Sequence, residues 1–483
     1  MSDGLSKSLL INTLWSFIGR FGYLAVALVS NIILVRLLSP KEFGQLGIIM
    51  FFIILASVLV ESGLSGALIR KEDVTEIDYS TVFIFNLIIS IILFFLLTFL
   101  SGFIADFYND PELKSILIAS SFIIIINALR ITQNAKLIKT LQFKIKAFYE
   151  FISILLGSIV AIFLAFKGAG IWSLVVCQLL TALTLTCIFW FFVGPIKSIK
   201  FSINSFKNLY KFGVNTTLAS LLNTTFDNIY QLILAKYFSI AQAGYFYQAK
   251  KLQDIPTGVL ETTMSSVVYA SLSKIQKEPE KFNNLYYNTV RIFTVLIAFI
   301  FMVIFYYSDF IIYILYGESW VESAIYLKLL VIGSFFYLQE IFNRIIFKIF
   351  NKTEKILQLE FVKKIIQSFT IFYGLYTFSI KNLLYGFILT SIISFLLNYY
   401  AARKVQNSFS INDFMNIFKV AIVSILVVII CNMLYLNLNL FNLHEIFLIP
   451  YFILFYFIFL NFFGVISLVK DFKSIYYLIV KGE

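Results

Sequence analysis

The sequence predicts an all-α polytopic membrane protein of about 14 transmembrane helices: two parallel six-helix lobes around a central cavity, with an appended C-terminal helix pair. Three observations predict it. Hydrophobic residues make up 60% of the 483 positions and charged residues only 13%, with a mean hydropathy of +0.90, where a soluble domain carries about 25% charge. The apolar residues gather into runs of spanning length, and Lys and Arg alternate between the links that join them.

A span needs about 20 mostly apolar residues. Such runs occupy 11–35, 44–68, 79–103, 114–133, 148–166, 170–193, 210–236, 242–270, 286–308, 323–346, 358–378, 382–402, 416–436 and 445–468. Short links such as FKGAG at 166–170 read as turns between helices. The start, MSDGLSKSLL, lacks the small-residue cleavage site of a removable signal. With the N-terminus inside, 26 of the 38 Lys and Arg residues fall on inner segments and six on outer ones. That bias predicts cytoplasmic N- and C-termini, and it accounts for the formal charge of +12 without any nucleic-acid partner.

The link LVRLLSPKEFGQLG at 34–47 has a counterpart 200 residues later, LAKYFSIAQAGYFY at 234–247. Over 31–65 against 231–265 the identities are Ile33/Ile233, Leu34/Leu234, Ser39/Ser239, Gly44/Gly244, Glu61/Glu261 and Ser65/Ser265. The offset spans six runs, an even number, so both copies enter the membrane in the same direction. The expected organisation is an N-lobe at 1–193, a cytoplasmic linker at 194–209, a C-lobe at 210–404, and an appended pair with its tail at 405–483.

Ionisable side chains inside a membrane are costly and face a bundle interior or a wet space. Asn12, Ser16, Arg20 and Asn31 share one face of the first run; Ser57, Glu61 and Ser65 align in the second. In the seventh, Thr216, Ser220, Asn223, Asp227 and Gln231 form a stripe. In the eighth, Tyr247, Lys251, Asp254, Gly258, Glu261 and Ser265 do so. Glu340, Asn343, Lys364 and Gln367 add polar groups to the tenth and eleventh. The last two runs carry almost none, which places them at the periphery. Bland readings stand beside the functional ones. Asp254 neutralises Lys251 three residues away, Glu61 and Glu261 cap or snorkel at inner ends, and Lys363 and Lys364 snorkel. Asp227, with no cation one turn away in its own helix, reads as a cation or proton site. The segment KLIKTLQFKIKAFYEF at 136–151 reads as an interfacial helix whose lysines meet lipid headgroups.

Only Cys177, Cys187 and Cys431 occur, all in apolar runs, and His444 is the single histidine. That leaves no zinc spacing, disulfide framework or histidine-based catalysis. Nucleotide-loop, metalloprotease and serine-hydrolase motifs are missing. Two parallel halves lined with polar groups, without an engine, describe a secondary transporter.

The stretches ILVRLLSPKEFGQLG, ESGLSGALIRKEDVTEIDYSTVF, DNIYQLILAKYFSIAQAGYFYQAKKLQDIP, LYGESWVESAIYLKLL and FNKTEKILQLEFVKK resemble bacterial polysaccharide flippases over most of residues 8–370. The family is the polysaccharide-exporter branch of the multidrug/oligosaccharidyl-lipid/polysaccharide superfamily, of the lipopolysaccharide and colanic-acid type. The resemblance implies transfer of an undecaprenyl-pyrophosphate-linked oligosaccharide from the inner to the outer leaflet of the cytoplasmic membrane, with coupling to an ion gradient. It implies membrane lipid, polymerase and glycosyltransferase machinery as partners, and no cofactor, metal or catalytic residue. Arg20, Lys250 and Lys251 would then replace the hydration of the phosphates, with Asn31, Asn223, Tyr247 and Asp254 as further substrate-binding candidates. Asp227, Glu61 and Glu261 are the candidates for ion coupling. A cation-coupled multidrug exporter of the same superfamily is the competing reading. A polysaccharide polymerase is disfavoured by the short outer loops.

Overall fold

The computed structural model describes residues 21–196, 199–406, 411–438 and 448–467. Among them the regular structure is helical. In unit 1, which runs to Tyr247 and includes Leu315–Ser319, the helices are α1 (Phe21–Leu37), α2 (Pro40–Glu61), α3 (Leu64–Arg70), α4 (Glu76–Tyr108), α5 (Glu112–Ala128), α6 (Ile131–Lys139), α7 (Phe143–Phe166), α8 (Ile171–Ile188), α9 (Ile203–Ile233) and the first turns of α10 (Ile240–Thr263). Unit 2 holds the rest of α10 and α11 (Tyr269–Lys274), α12 (Pro279–Tyr306), α13 (Ser308–Tyr316, whose last two residues group with unit 1), α14 (Ser323–Ile349), α15 (Thr353–Tyr376), α16 (Ile380–Gln406), α17 (Ile411–Leu438) and α18 (Ile449–Phe462).

Each of the fourteen apolar runs overlaps a helix. Among the described residues, eight helices are long and apolar enough to cross a membrane; α5 and α6, bent by 42° at their junction, make a ninth if taken as one span. The others fall short for identifiable reasons. Only 17 residues of α1 are described, α18 has 14 residues, and α9, α10 and α15 carry the polar stripes noted above. The segment expected to form one interfacial helix at 136–151 is divided instead. It ends α6, turns at Thr140–Gln142 and opens α7. Three of its four lysines turn onto protein, while Lys144 is exposed: Lys136 pairs with Glu76 at 3.5 Å, Lys139 donates to the carbonyls of Leu68 and Lys71, and Lys146 pairs with Glu150 at 2.6 Å.

In unit 1 the repeated turns start their helices in related ways. Pro40 opens α2 behind Ser39, whose N–H and hydroxyl both donate to Glu42, at 2.6 and 2.8 Å. This is the Ser-x-x-Glu signature of a helix start. At the second turn the Ser239 hydroxyl accepts from the Gln242 N–H at 3.1 Å. The two helix starts cross at their shared glycine. A Cβ on Gly44 would stand 1.8 Å from the Ile240 carbonyl oxygen, and one on Gly244 would stand 1.8 Å from the Pro40 oxygen. The contact is reciprocal at the 200-residue offset and too close for any side chain. Elsewhere in the unit, α7 packs along α8, α4 along α5, and α9 against α2, α3 and α4. Asp78 fastens α9 to the start of α4. Its carboxylate accepts from Thr75 N–H and hydroxyl, both at 2.9 Å, from Lys71 at 2.6 Å, and from Ser205. This division reflects compactness, whereas the boundary expected at 194–209 is a matter of repeat register.

In unit 2, α14 is the most buried of the candidate spans, lying against α12 and α16, with α15 on α16. The last pair packs on α12. Asn416 donates to the Tyr287 hydroxyl at 2.8 Å, and the Tyr456 hydroxyl donates to the Val295 carbonyl at 2.8 Å.

Candidate functional site

Unit 1 holds a half-open cavity of about 870 Å³ among α1, α2, α5, α7 and α8, within the range of about 300–1,000 Å³ typical of ligand pockets. Its wall mixes aliphatic side chains with polar ones contributed by all five helices. Ser57 and Glu61 come from the end of α2, Asn127 from α5 and Arg130 from the α5–α6 bend. Lys146 and Glu150 come from α7, Gln178 and Thr181 from α8, and Tyr23 from α1. Arg130 stands at the 42° bend between α5 and α6, three residues after Asn127, and lines the same cavity. Arg130 donates from Nε and Nη2 to Asn127 Oδ1, at 3.1 and 2.8 Å. No carboxylate among the described residues stands at ion-pair distance from it. Glu150 feels its charge, but the hydrogen-bonded partner of Glu150 is Lys146 at 2.6 Å. A guanidinium has five donors, and three of those on Arg130 are not used by Asn127. A smaller cavity of about 200 Å³ adjoins, sharing Ser57, Glu61, Asn127 and Arg130 and adding Asn134.

Unit 2 buries charge differently. The Glu340 side chain is 1% exposed. Its Oε1 accepts from Arg344 at 2.8 and 2.5 Å, and its Oε2 accepts from Lys363 at 3.1 Å and Ser394 at 2.8 Å. Arg344 also pairs with Glu360. Lys363 lies 5.5 Å from the centre of the Tyr337 ring, and the Tyr337 hydroxyl donates to Glu261 at 3.2 Å. The network ties α10, α14, α15 and α16 together. A second cavity, of about 320 Å³ and almost wholly apolar, lies among α12, α14 and α17, walled by residues such as Phe301, Phe336 and Ile425.

The residues singled out from the sequence are dispersed. Arg20 lies outside the described residues. Asn31 is buried in α1. Asn223 and Asp227 are exposed on α9, Tyr247 and Lys250 half-buried on α10, and Lys251 and Asp254 exposed on the same helix, close to Pro256 within it. Glu61 opens onto the unit 1 cavity, and Glu261 sits against Tyr337. Of these, only Glu61 joins a cavity with other ionisable groups. Sequence reasoning missed Arg130, Lys146, Glu150 and Gln178. The first two fall among the 26 inner-segment cations, although the Asn127/Arg130 and Lys146/Glu150 spacings place each pair on one helical face. Glu340 was noted as polar, and Arg344 four residues on is its partner at the same kind of spacing.

Comparison with known proteins gives three findings. A model of the family described as polysaccharide biosynthesis protein matches residues 33–325. The succinoglycan biosynthesis transport protein ExoT of Rhizobium meliloti (strain 1021) is 22% identical over 328 residues, 68% of this chain and 66% of its own length. The lipopolysaccharide biosynthesis protein WzxC of Escherichia coli (strain K12) is 22% identical over 320 residues, 65% of each. The chain thus matches just under two thirds of the length of either relative. Among solved structures, the lipid II flippase MurJ in an inward closed conformation superimposes with a TM-score of 0.71 at 18% identity, covering 94% of this chain and 98% of that one. At that identity the likeness establishes the fold: an all-α, multi-pass membrane protein of the MurJ type.

Proposed function

The chain belongs to the family of polysaccharide biosynthesis proteins, and from that premise we propose that it is a flippase. It carries undecaprenyl-pyrophosphate-linked oligosaccharide from the inner to the outer leaflet of the bacterial cytoplasmic membrane, for lipopolysaccharide, capsule or exopolysaccharide assembly. It is a transporter and not an enzyme. The family match over more than half of the chain carries this reading. The cavity of unit 1, polar inside an apolar bundle, supports it, because a glycan head group cannot cross hydrocarbon without replacement hydrogen bonds.

In this reading fourteen helices cross the membrane with both termini cytoplasmic, as the charge alternation indicates. The two six-helix halves work by alternating access. Arg20, Lys250 and Lys251 offset the pyrophosphate charge; Asn31, Asn223, Tyr247 and Asp254 take sugar hydroxyls; Asp227, Glu61 and Glu261 couple transport to an ion gradient. The exposed positions of Asn223, Asp227, Lys251 and Asp254 suit a water-filled path, since none of them is stable against lipid tails. The apolar cavity of unit 2 suits the polyprenyl tail. The partners are membrane lipid and the glycosyltransferases and polymerase that make and extend the glycan.

The test is a deletion strain assayed for both lipid-linked oligosaccharide and drug accumulation. Build-up of the lipid-linked oligosaccharide on the inner face, with drug levels unchanged, is expected. Raised drug levels with normal lipid-linked sugar would make the chain a multidrug exporter instead.

A further inference from the structure

We propose that the unit 1 cavity is a saccharide subsite for a sugar that bears a carboxylate, with Arg130 as the partner of the acid. The source of such a sugar, the glycan of the lipid-linked cargo, rests on the flippase reading; the chemistry of the subsite rests on the cavity.

A guanidinium inside an apolar bundle is costly unless an anion or a network of acceptors meets it. Among the described residues the guanidinium of Arg130 is hydrogen-bonded only by the neutral oxygen of Asn127. Its remaining donors adjoin a volume of about 870 Å³. A planar fork of N–H donors matches a carboxylate in bidentate fashion. The rest of the wall reads as a sugar site. Glu61 accepts hydroxyl hydrogens, Gln178 and Thr181 both donate and accept, and Tyr23 offers an aromatic face with a polar tip.

The charge inventory decides between a sugar acid and a pyrophosphate. Among the described residues, two cations and two acids line the space: Arg130 and Lys146 against Glu61 and Glu150. Lys146 is engaged by Glu150. Among the described residues Arg130 is then the one cation left for the ligand, with the Glu61 carboxylate in the same cavity. These four charges sum to zero, so a single carboxylate paired with Arg130 adds one negative charge and leaves Glu61 to the hydroxyls. A dianionic pyrophosphate would add two negative charges, without a second free cation among the described residues to offset them. Glu61 thereby gains a role other than ion coupling, and Arg130 one other than orientation of the chain in the membrane.

The experiment uses the full chain, purified and reconstituted in lipid nanodiscs. Equilibrium binding is measured for a disaccharide containing glucuronic acid, for a neutral disaccharide of the same linkage, and for inorganic pyrophosphate. The wild type is expected to prefer the acidic disaccharide at least about 10-fold, and Arg130→Gln to lose about 10- to 100-fold for the acid with little change for the neutral sugar, the value of a hydrogen bond to a charged group. Arg130→Lys keeps the charge without the fork and should fall between them. Equal affinity of the wild type for both disaccharides overturns the proposal without recourse to any variant. So does tighter binding of pyrophosphate than of the sugar acid, or an acid preference that survives in a folded Arg130→Gln protein. If the deletion strain shows that flipping occurs while the acid preference is missing, the subsite fails and the flippase reading stands. If the preference is found while flipping is missing, the reverse holds.

Discussion

In unit 2, Glu340, its side chain 1% exposed, receives four hydrogen bonds from Arg344, Lys363 and Ser394, on three helices. In unit 1, Arg130 gives two donors to one neutral oxygen and adjoins a cavity. Both are charges inside apolar bundles, and both are flanked by a partner three or four residues along the chain. The difference is saturation. A charge whose bonding capacity is filled by protein holds helices in register and has nothing left for a ligand. A charge with capacity left over, next to an empty volume, is arranged for something that comes and goes. Burial of an ionisable residue is therefore a weak sign of function inside a membrane, and the count of its unused bonds beside a cavity is a better one.

The comparison breaks most sharply at Glu340. Its replacement by Ala leaves Arg344 and Lys363 as cations without their shared acceptor, and removing one partner of a buried pair costs about 3–5 kcal/mol. Glu340→Ala is expected to lower the yield of folded protein and its melting temperature in detergent severely, before any transport is assayed. A melting temperature equal to the wild type's would place Glu340 with Arg130, as a group that protein does not saturate.

A smaller loss is expected at the crossing of the repeated turns. Gly44→Ala and Gly244→Ala each put a methyl group 1.8 Å from a carbonyl oxygen of the other helix. Each should cost about 1–3 kcal/mol through forced separation of α2 and α10. The two sites share one gap, so the double variant should lose less than the sum of the single losses. Strict additivity in thermal unfolding would show that the two glycines do not report on the same contact.

How much of this was legible in the sequence follows the same divide. The helices were legible because length, apolarity and the spacing of Lys and Arg are properties of the chain itself. The turn at Ser39–Gly44 and its copy were legible because capping and close approach need particular residues, Ser and Gly, at fixed positions. The unit 1 cavity was not. Arg130 lies at the end of an apolar run, where positive residues are expected for orientation. Its place beside Asn127 follows from their three-residue spacing, but nothing in one dimension tells that the two line a cavity with α7 and α8. Glu340 was visible as an acid in a span, but its saturation depends on Lys363 and Ser394, 23 and 54 residues away. Periodicity places a residue on a face of its own helix, and the neighbours across the gap decide whether that face is filled.

The smallest stability effect is expected on the unsaturated side, and it is the one that sharpens the comparison most. Arg130→Gln keeps a side chain able to bond Asn127 and removes a charge that has no carboxylate partner among the described residues. The melting temperature of the purified protein, measured without saccharide, should then stay within the change typical of a substitution that breaks no saturated network, about 0.5 kcal/mol. The same variant should forfeit the stabilisation that an acidic disaccharide gives the wild type, about 2.7 kcal/mol at a ligand concentration 100 times the dissociation constant, because a ligand stabilises only the form that binds it. A large loss of intrinsic stability in Arg130→Gln, matching that of Glu340→Ala, would mean that Arg130 is a structural charge like its counterpart and that the volume beside it is incidental.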